Sequence, residues 1–104
     1  MIIVSTETIP KKEISEALGV VRGNSVRGKW FGKDIMAGLR NIVGGRLTEY
    51  EELLSEAREA AIQEMQKDAE KLGADAIVGL RFMTSGISPQ AAEVLVYGTA
   101  VKIK

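Results

Sequence analysis

Arg40-Asn41-Ile42-Val43-Gly44-Gly45-Arg46 is the stretch of this chain whose residue types and spacing could hold a ligand. A glycine pair lets successive backbone N–H groups converge in a turn, and a helix starting just beyond it favours anions. Arg40 and Arg46 flank that turn, and Asn41 can donate or accept a hydrogen bond. A carboxylate or phosphate would suit the place, supplied by a small ligand or by a neighbouring subunit. The same residues have a purely structural reading, which we prefer. In it Gly44 is the left-handed stop of one helix, Gly44-Gly45 is a tight connection to the next, and Asp34, Arg40, Tyr50 and Arg58 pair across a subunit interface. Asp34, Arg40, Asn41, Gly44, Gly45, Tyr50 and Arg58 are therefore the candidate ligand-binding or interface residues, and none is assigned as catalytic.

Other chemistry is narrowed by what the composition omits. The sequence contains neither cysteine nor histidine, which removes the thiolate nucleophile, the commonest general base and the commonest soft-metal ligands. Catalysis would have to rest on Asp34, Glu59, Asp75, Glu93, Lys33, Arg40, Arg58, Tyr50, Tyr97 or hydroxyl groups, with Glu93 expected to pair with Arg81. No nucleophile elbow, phosphate loop or dinucleotide fingerprint is present. Met1, Met36, Met65 and Met83 are scattered and read as core filler, and no loop has the ligand spacing of an EF-hand. No metal and no cofactor is expected.

The charge is balanced overall but uneven. Residues 1–46 hold eight Lys/Arg against four Asp/Glu, residues 47–75 three against nine, and residues 76–104 three against one. The acidic middle reads as a solvated helix face, with pairing to the basic first half as the alternative. Nucleic acid is not an expected partner, because net positive charge with interleaved aromatics is missing. No apolar run approaches the length of a membrane span and the start lacks the pattern of a signal peptide, so a cytoplasmic protein is the default expectation.

The elements that must position these residues follow from periodicity. At 104 residues the expectation is one domain over 1–104. Met1–Ser5 suggests a strand, broken at Thr8-Ile9-Pro10. Glu13–Val21 reads as extended and Arg22-Gly23-Asn24-Ser25 as a turn, after which Val26–Gly28 resumes a strand. Trp30 and Phe31 read as core or contact anchors. Ile35, Leu39, Ile42 and Val43 give the stripe of a short helix that Gly44 ends. Thr48-Glu49-Tyr50-Glu51 fits a capping box, and a long helix runs from there to about Leu72, ended by Gly73. Its stripe is Tyr50, Leu54, Ala57, Ala61, Met65, Ala69 and Leu72, and the small residues in it predict close approach to a neighbour. Ala76–Met83 and Glu93–Ile103 read as a hairpin around a loop with Gly86 and Pro89. Alternation puts Ala76, Val78, Leu80 and Phe82 on one face of the first strand, and Ile77, Gly79, Arg81 and Met83 on the other. In the second strand Val94, Val96, Gly98 and Ala100 oppose Leu95, Tyr97, Thr99, Val101 and Ile103.

Both faces of that hairpin are largely apolar, and such a sheet needs cover on both. One long and one short helix shield one face, so the other would be an apolar patch that monomers rarely tolerate. The fold class expected is α+β, a helix layer on an antiparallel sheet, assembled as a homo-oligomer.

The blocks Asp34-Ile35, Ala37-Gly38-Leu39-Arg40-Asn41-Ile42-Val43-Gly44-Gly45, then Tyr50, Ala57-Arg58-Glu59, Leu72-Gly73-Ala74-Asp75-Ala76-Ile77-Val78-Gly79 and Gly98-Thr99-Ala100-Val101 resemble, in that order, the YbjQ-like family of small uncharacterised proteins. The resemblance spans essentially the whole chain. It implies a dodecin-like subunit in a ring of five, and the family carries a heavy-metal-binding label. Lys33 stands where many relatives have Arg and Gln90 where many have Gly. The function expected is a pentameric structural or small-ligand-binding module. A metal- or anion-binding sensor or storage protein is the alternative, and an enzyme comes third.

Overall fold

A computed structural model describes residues 1–28, 47–88 and 91–104. Its elements are β1 (Ile2–Ile3), β2 (Ile14–Gly28), α1 (Leu47–Lys71), β3 (Ala76–Ser88) and β4 (Ala91–Ile103). The strands form one sheet in the order β1-β3-β4-β2. β2 and β3 each run antiparallel to β4, whereas β1 runs parallel to β3. The sheet is therefore mixed rather than antiparallel throughout. The expected short helix over 35–43 lies outside the described residues.

α1 forms where its periodicity says it should. Leu53, Ala57, Ala61, Met65 and Ala69 are buried along one stripe, while Glu51, Glu52, Glu56, Glu59, Glu64, Asp68 and Glu70 are exposed on the other side. The acidic run is thus a solvated helix face. Leu72, expected to complete the stripe, is exposed. At the C-terminus the Gly73 N–H donates to Glu70 O (3.0 Å) and the Ala74 N–H to Ala69 O (3.1 Å), the paired bonds of a Schellman stop. Asp75 then ties the chain to β4, its N–H donating to Val101 O and its carboxylate accepting from the Ile103 N–H, both at 2.9 Å.

The small residues of α1 have a definite partner. A Cβ built on Gly23 would lie 2.7 Å from Met65 N and would collide with Ala61 O, so the helix backbone rests directly on β2 at that glycine. Arg22-Gly23-Asn24-Ser25 is accordingly the middle of a continuous 15-residue strand rather than a turn. Around it Val21, Ala57, Ala61, Met65, Ala69, Ile77, Val94, Val96 and Ala100 make the main core. Each large side chain among them contributes roughly 1.5–3 kcal/mol of burial.

Two further expectations are corrected. β3 continues to Ser88, so Gly86 lies in the strand and not in a loop, beside a register shift between Gly86 and Ser88. The alternation along β3 also breaks between Val78 and Arg81, where Gly79 has φ +65°. As a result Leu80 packs with Ile77 towards the main core, whereas Ala76 and Val78 belong to a second cluster. The alternation expected along β4 holds, with Val94, Val96 and Ala100 in the main core and Val101 and Ile103 in the second.

That second cluster sits on the sheet face away from α1. Ile9, Ala76, Val78 and Val101 are its buried members, with Val4, Ile14 and Ile103 packed around them. Residues 4–9 hold their place through Val4 N–H to Ile77 O (2.9 Å), Gly79 N–H to Thr6 O (2.8 Å) and Leu80 N–H to Val4 O (3.1 Å). The N-terminal segment therefore covers one end of the face that was expected to be bare.

Candidate functional site

Among the described residues, nothing covers the other end of that face. Register places Arg22, Tyr97 and Arg81 in one rung across β2, β4 and β3, Asn24, Leu95 and Met83 in the next, and Val26, Glu93 and Ser85 in a third. Gly23, one residue along, faces α1, so these rungs point away from the helix. Val20 is 70% exposed, Met83 59%, Val26 39% and Tyr97 38%. A depression of about 150 Å³ lined by Asn24, Met83, Ser85, Glu93 and Leu95 lies among them.

Polar side chains, Arg22, Arg81, Asn24, Glu93 and Ser85, are interleaved with the apolar ones on these rungs. Arg81 Nη1 donates to Ser5 O at 3.0 Å and to Leu80 O at 2.7 Å. The guanidinium therefore pins the N-terminal segment rather than forming the ion pair with Glu93 that the sequence suggested. Glu93 sits opposite Ser85 on one side and Val26 on the other.

Along the outer edge of β2, a cleft of about 450 Å³ opens under α1, lined by Arg22, Asn24, Glu64, Lys67, Asp68 and Lys71. Three cations and two carboxylates share it, so it has no single charge sign to select an ion. Across it the Asn24 N–H donates to Glu64 Oε1 at 3.3 Å, joining strand to helix.

Of the residues singled out from the sequence, Asp34, Arg40, Asn41, Gly44 and Gly45 lie outside the described residues. Tyr50 falls in the opening turn of α1. Arg58 is exposed on α1, where its Nη2 donates to Ser55 Oγ at 3.1 Å, one helical turn back. The structure brings Tyr50 and Arg58 onto one helix. The apolar character of both hairpin faces points to these rungs, but not to Val20, because the turn expected at residues 22–25 conceals that β2 runs through it.

The whole chain, residues 1–104, matches the YbjQ family, described as "Putative heavy-metal-binding". The chain belongs to this family. A UPF0145 protein of Methanosarcina acetivorans is 60% identical over 103 residues, covering 99% of this chain and 97% of that one. A UPF0145 protein of Archaeoglobus fulgidus is 57% identical over 104 residues, covering 100% and 96%. Among solved structures, a crystal structure of a protein of unknown function in the DUF74 family, from Pediococcus pentosaceus, superposes with a TM-score of 0.66. It is 23% identical and the match covers 100% of this chain and 98% of that one, which supports the fold.

The family description can be tested against the donors. Soft metals take thiolate, imidazole or thioether ligands, and the sequence has no Cys or His. Met65 is fully buried in the packed core, while Met83 stands on the open face. Among the described residues no three Asp or Glu side chains gather as a metal site would require. The donor set does not fit a heavy-metal centre. Among the described residues, no helix is long and apolar enough to cross a membrane.

Proposed function

We propose that the protein is a homo-oligomeric structural or small-ligand-binding module whose subunits, dodecin-like as the family resemblance implies, close into a cytoplasmic ring of five. The observation that carries the oligomer is the open sheet face, with Val20, Val26, Met83 and Tyr97 exposed in adjacent rungs. Apolar side chains gathered this way mark an interaction surface. The dimensions agree. The Cα radius of gyration is 16.9 Å, against about 13 Å for a compact chain of this size. The longest axis, 53 Å, is about the length of a 15-residue strand at roughly 3.3 Å per residue. A chain that extends its strands so far beyond one helix has surface to share.

Native mass spectrometry with light scattering at micromolar concentration tests this. The expected mass is five times the 11.3 kDa chain. A monomer sinks the proposal, and the same spectra would show any retained ligand. The candidate anion site is tested separately with Arg40→Ala. If the variant keeps the assembly but loses binding of inorganic phosphate that the parent shows, the Gly44-Gly45 junction is a ligand site. If the assembly falls apart, Arg40 belongs to the interface.

A further inference from the structure

The N–H groups of Gly79 and Leu80 point the same way, to Thr6 O (2.8 Å) and to Val4 O (3.1 Å). Consecutive N–H groups of a regular strand alternate sides, so β3 is not regular here. The cause is one extra residue. Val78 faces Thr99 and Arg81 faces Tyr97, so Gly79 and Leu80 together stand opposite Gly98 alone. That is a β-bulge, and Gly79, at φ +65°, turns its corner. Gly98 makes room for it, since a Cβ there would lie 2.8 Å from Ile77 Cγ2 and 3.1 Å from Val78 O. We infer that the N-terminal segment is a register lock: by holding this bulge, it decides which side chains of the far half of β3 face away from α1.

Both donors of the bulge bond to the segment, so its departure would take the acceptors of two adjacent N–H groups at once. Arg81 Nη1 clamps segment to bulge, donating to Ser5 O at 3.0 Å and to Leu80 O at 2.7 Å. Ile9, buried with Ala76, Val78 and Val101, anchors the far end of the segment. The bulge in turn sets the faces, because a shift of one residue moves every side chain of a strand to the other side. With it, Arg81, Met83 and Ser85 stand opposite Tyr97, Leu95 and Glu93. Without it, Leu80, Phe82 and Thr84 take those places.

The residues themselves support that second register. Ala76, Val78, Leu80 and Phe82 alternate without a break, and an unbulged β3 would put all four on one face. The bulged register instead keeps Leu80 beside the main core with Ile77. The paired bonds to Thr6 and Val4 belong to the bulged register alone, because only there do two consecutive donors share a side. Release of the segment therefore trades Arg81, Met83 and Ser85 for Leu80, Phe82 and Thr84 on the side away from α1, and so changes what that side can bind. The lock acts within one chain and goes beyond the oligomer reading.

Cross-strand disulfides read the register, because the chain has no native cysteine. Opposite residues of an antiparallel pair have Cα atoms about 4.5–5.5 Å apart, within disulfide range. Ser85→Cys with Glu93→Cys pairs opposite positions of the bulged register. Thr84 lies opposite Val94 in that register, on the other face from Glu93, so Thr84→Cys with Glu93→Cys can bridge only after the shift. Bridges within single chains are scored on non-reducing denaturing gels, with and without Ile9→Asp, which puts a charge into the buried anchor. Hydrogen exchange at the Gly79 and Leu80 amides reports release of the segment. The expected result is the first bridge alone in the parent background. With Ile9→Asp both amides lose protection and the second bridge appears. Should Ile9→Asp fail to fold, Arg81→Gln, which opens only the clamp, is expected to give the same two changes. A second bridge that forms as readily as the first in the parent background overturns the inference. So does loss of amide protection without the second bridge, or unchanged protection in both variants. A monomeric mass alongside the expected bridges would remove the oligomer reading and leave the register lock standing.

Discussion

Gly23→Ala adds one methyl group at the point where α1 meets β2. The added carbon would sit 2.7 Å from Met65 N, where ordinary contact begins at 3.4 Å, and it would overlap Ala61 O more severely. Both obstacles are helix backbone, so no side chain can rotate out of the way. The helix must retreat by at least the difference, about 0.7 Å, and a radial gap of that size forfeits roughly a quarter to a half of each dispersion contact it opens. Val21, Ala57, Ala61, Met65 and Val96 all line the affected seam. Overpacking a core costs about 1–3 kcal/mol and occasionally more, and a backbone obstacle puts this case near 3 kcal/mol. For a domain of about 100 residues that lowers Tm by roughly 12–24 °C. Circular dichroism melts at fixed protein concentration measure it, since the proposed assembly would make Tm depend on concentration. Gly79→Ala is the comparison. Gly79 has φ +65° and open space around it, so its variant carries only backbone strain, about 1–2 kcal/mol. If Gly23→Ala melts within about 2 °C of the parent, the helix does not rest on that glycine and the account of the core is wrong.

Met65, fully buried beneath α1, should cost about 2–5 kcal/mol when truncated to Ala and under about 1.5 kcal/mol when replaced by Leu, read from urea unfolding. Equal losses would mean the site tolerates a void. Asp75→Ala removes the acceptor of the Ile103 N–H; at an exposed position the loss should be about 1 kcal/mol, with Asp75→Asn recovering most of it. Calorimetric titration with Zn²⁺, Cd²⁺ or Cu⁺ should show no tight stoichiometric site, and one such site per chain would refute the reading of the donor set.

The parts of the fold that were legible are those in which a period runs uninterrupted. α1 was readable because Ala57, Ala61, Met65 and Ala69 recur on one side and glutamates crowd the other. β4 was readable because Val94, Val96, Gly98 and Ala100 alternate without a break. The misreadings fall at glycines. In Arg22-Gly23-Asn24-Ser25 the glycine serves a backbone approach from a helix forty residues away in sequence, a cause that no local pattern carries. Gly79 flips the alternation of β3, so Leu80 and Phe82 were grouped with Ala76 and Val78 although they belong with Ile77. Ile9 stands alone between Thr8 and Pro10, and a single apolar residue in a polar stretch gives no period to read. Of the candidate site, Tyr50 and Arg58 are placed on α1, and the rest lies outside the described residues.

An exposed face of this kind could have been avoided with little sequence. The simplest remedy for a bare sheet is a second helix across it, and the N-terminal segment shows that the fold can cover that side, since Ile9 and Val4 already seal one end over Val78 and Val101. The cover from the N-terminal segment stops near Arg81, whose guanidinium holds Ser5 in place. Beyond it, β2, β3 and β4 continue for a further two to three rungs with apolar residues on the open side. Extra strand without extra cover costs stability in an isolated chain, because it exposes both backbone edges and side chains such as Met83 and Val20. The proposed homo-oligomer would give these rungs the apolar cover that the other described residues do not supply.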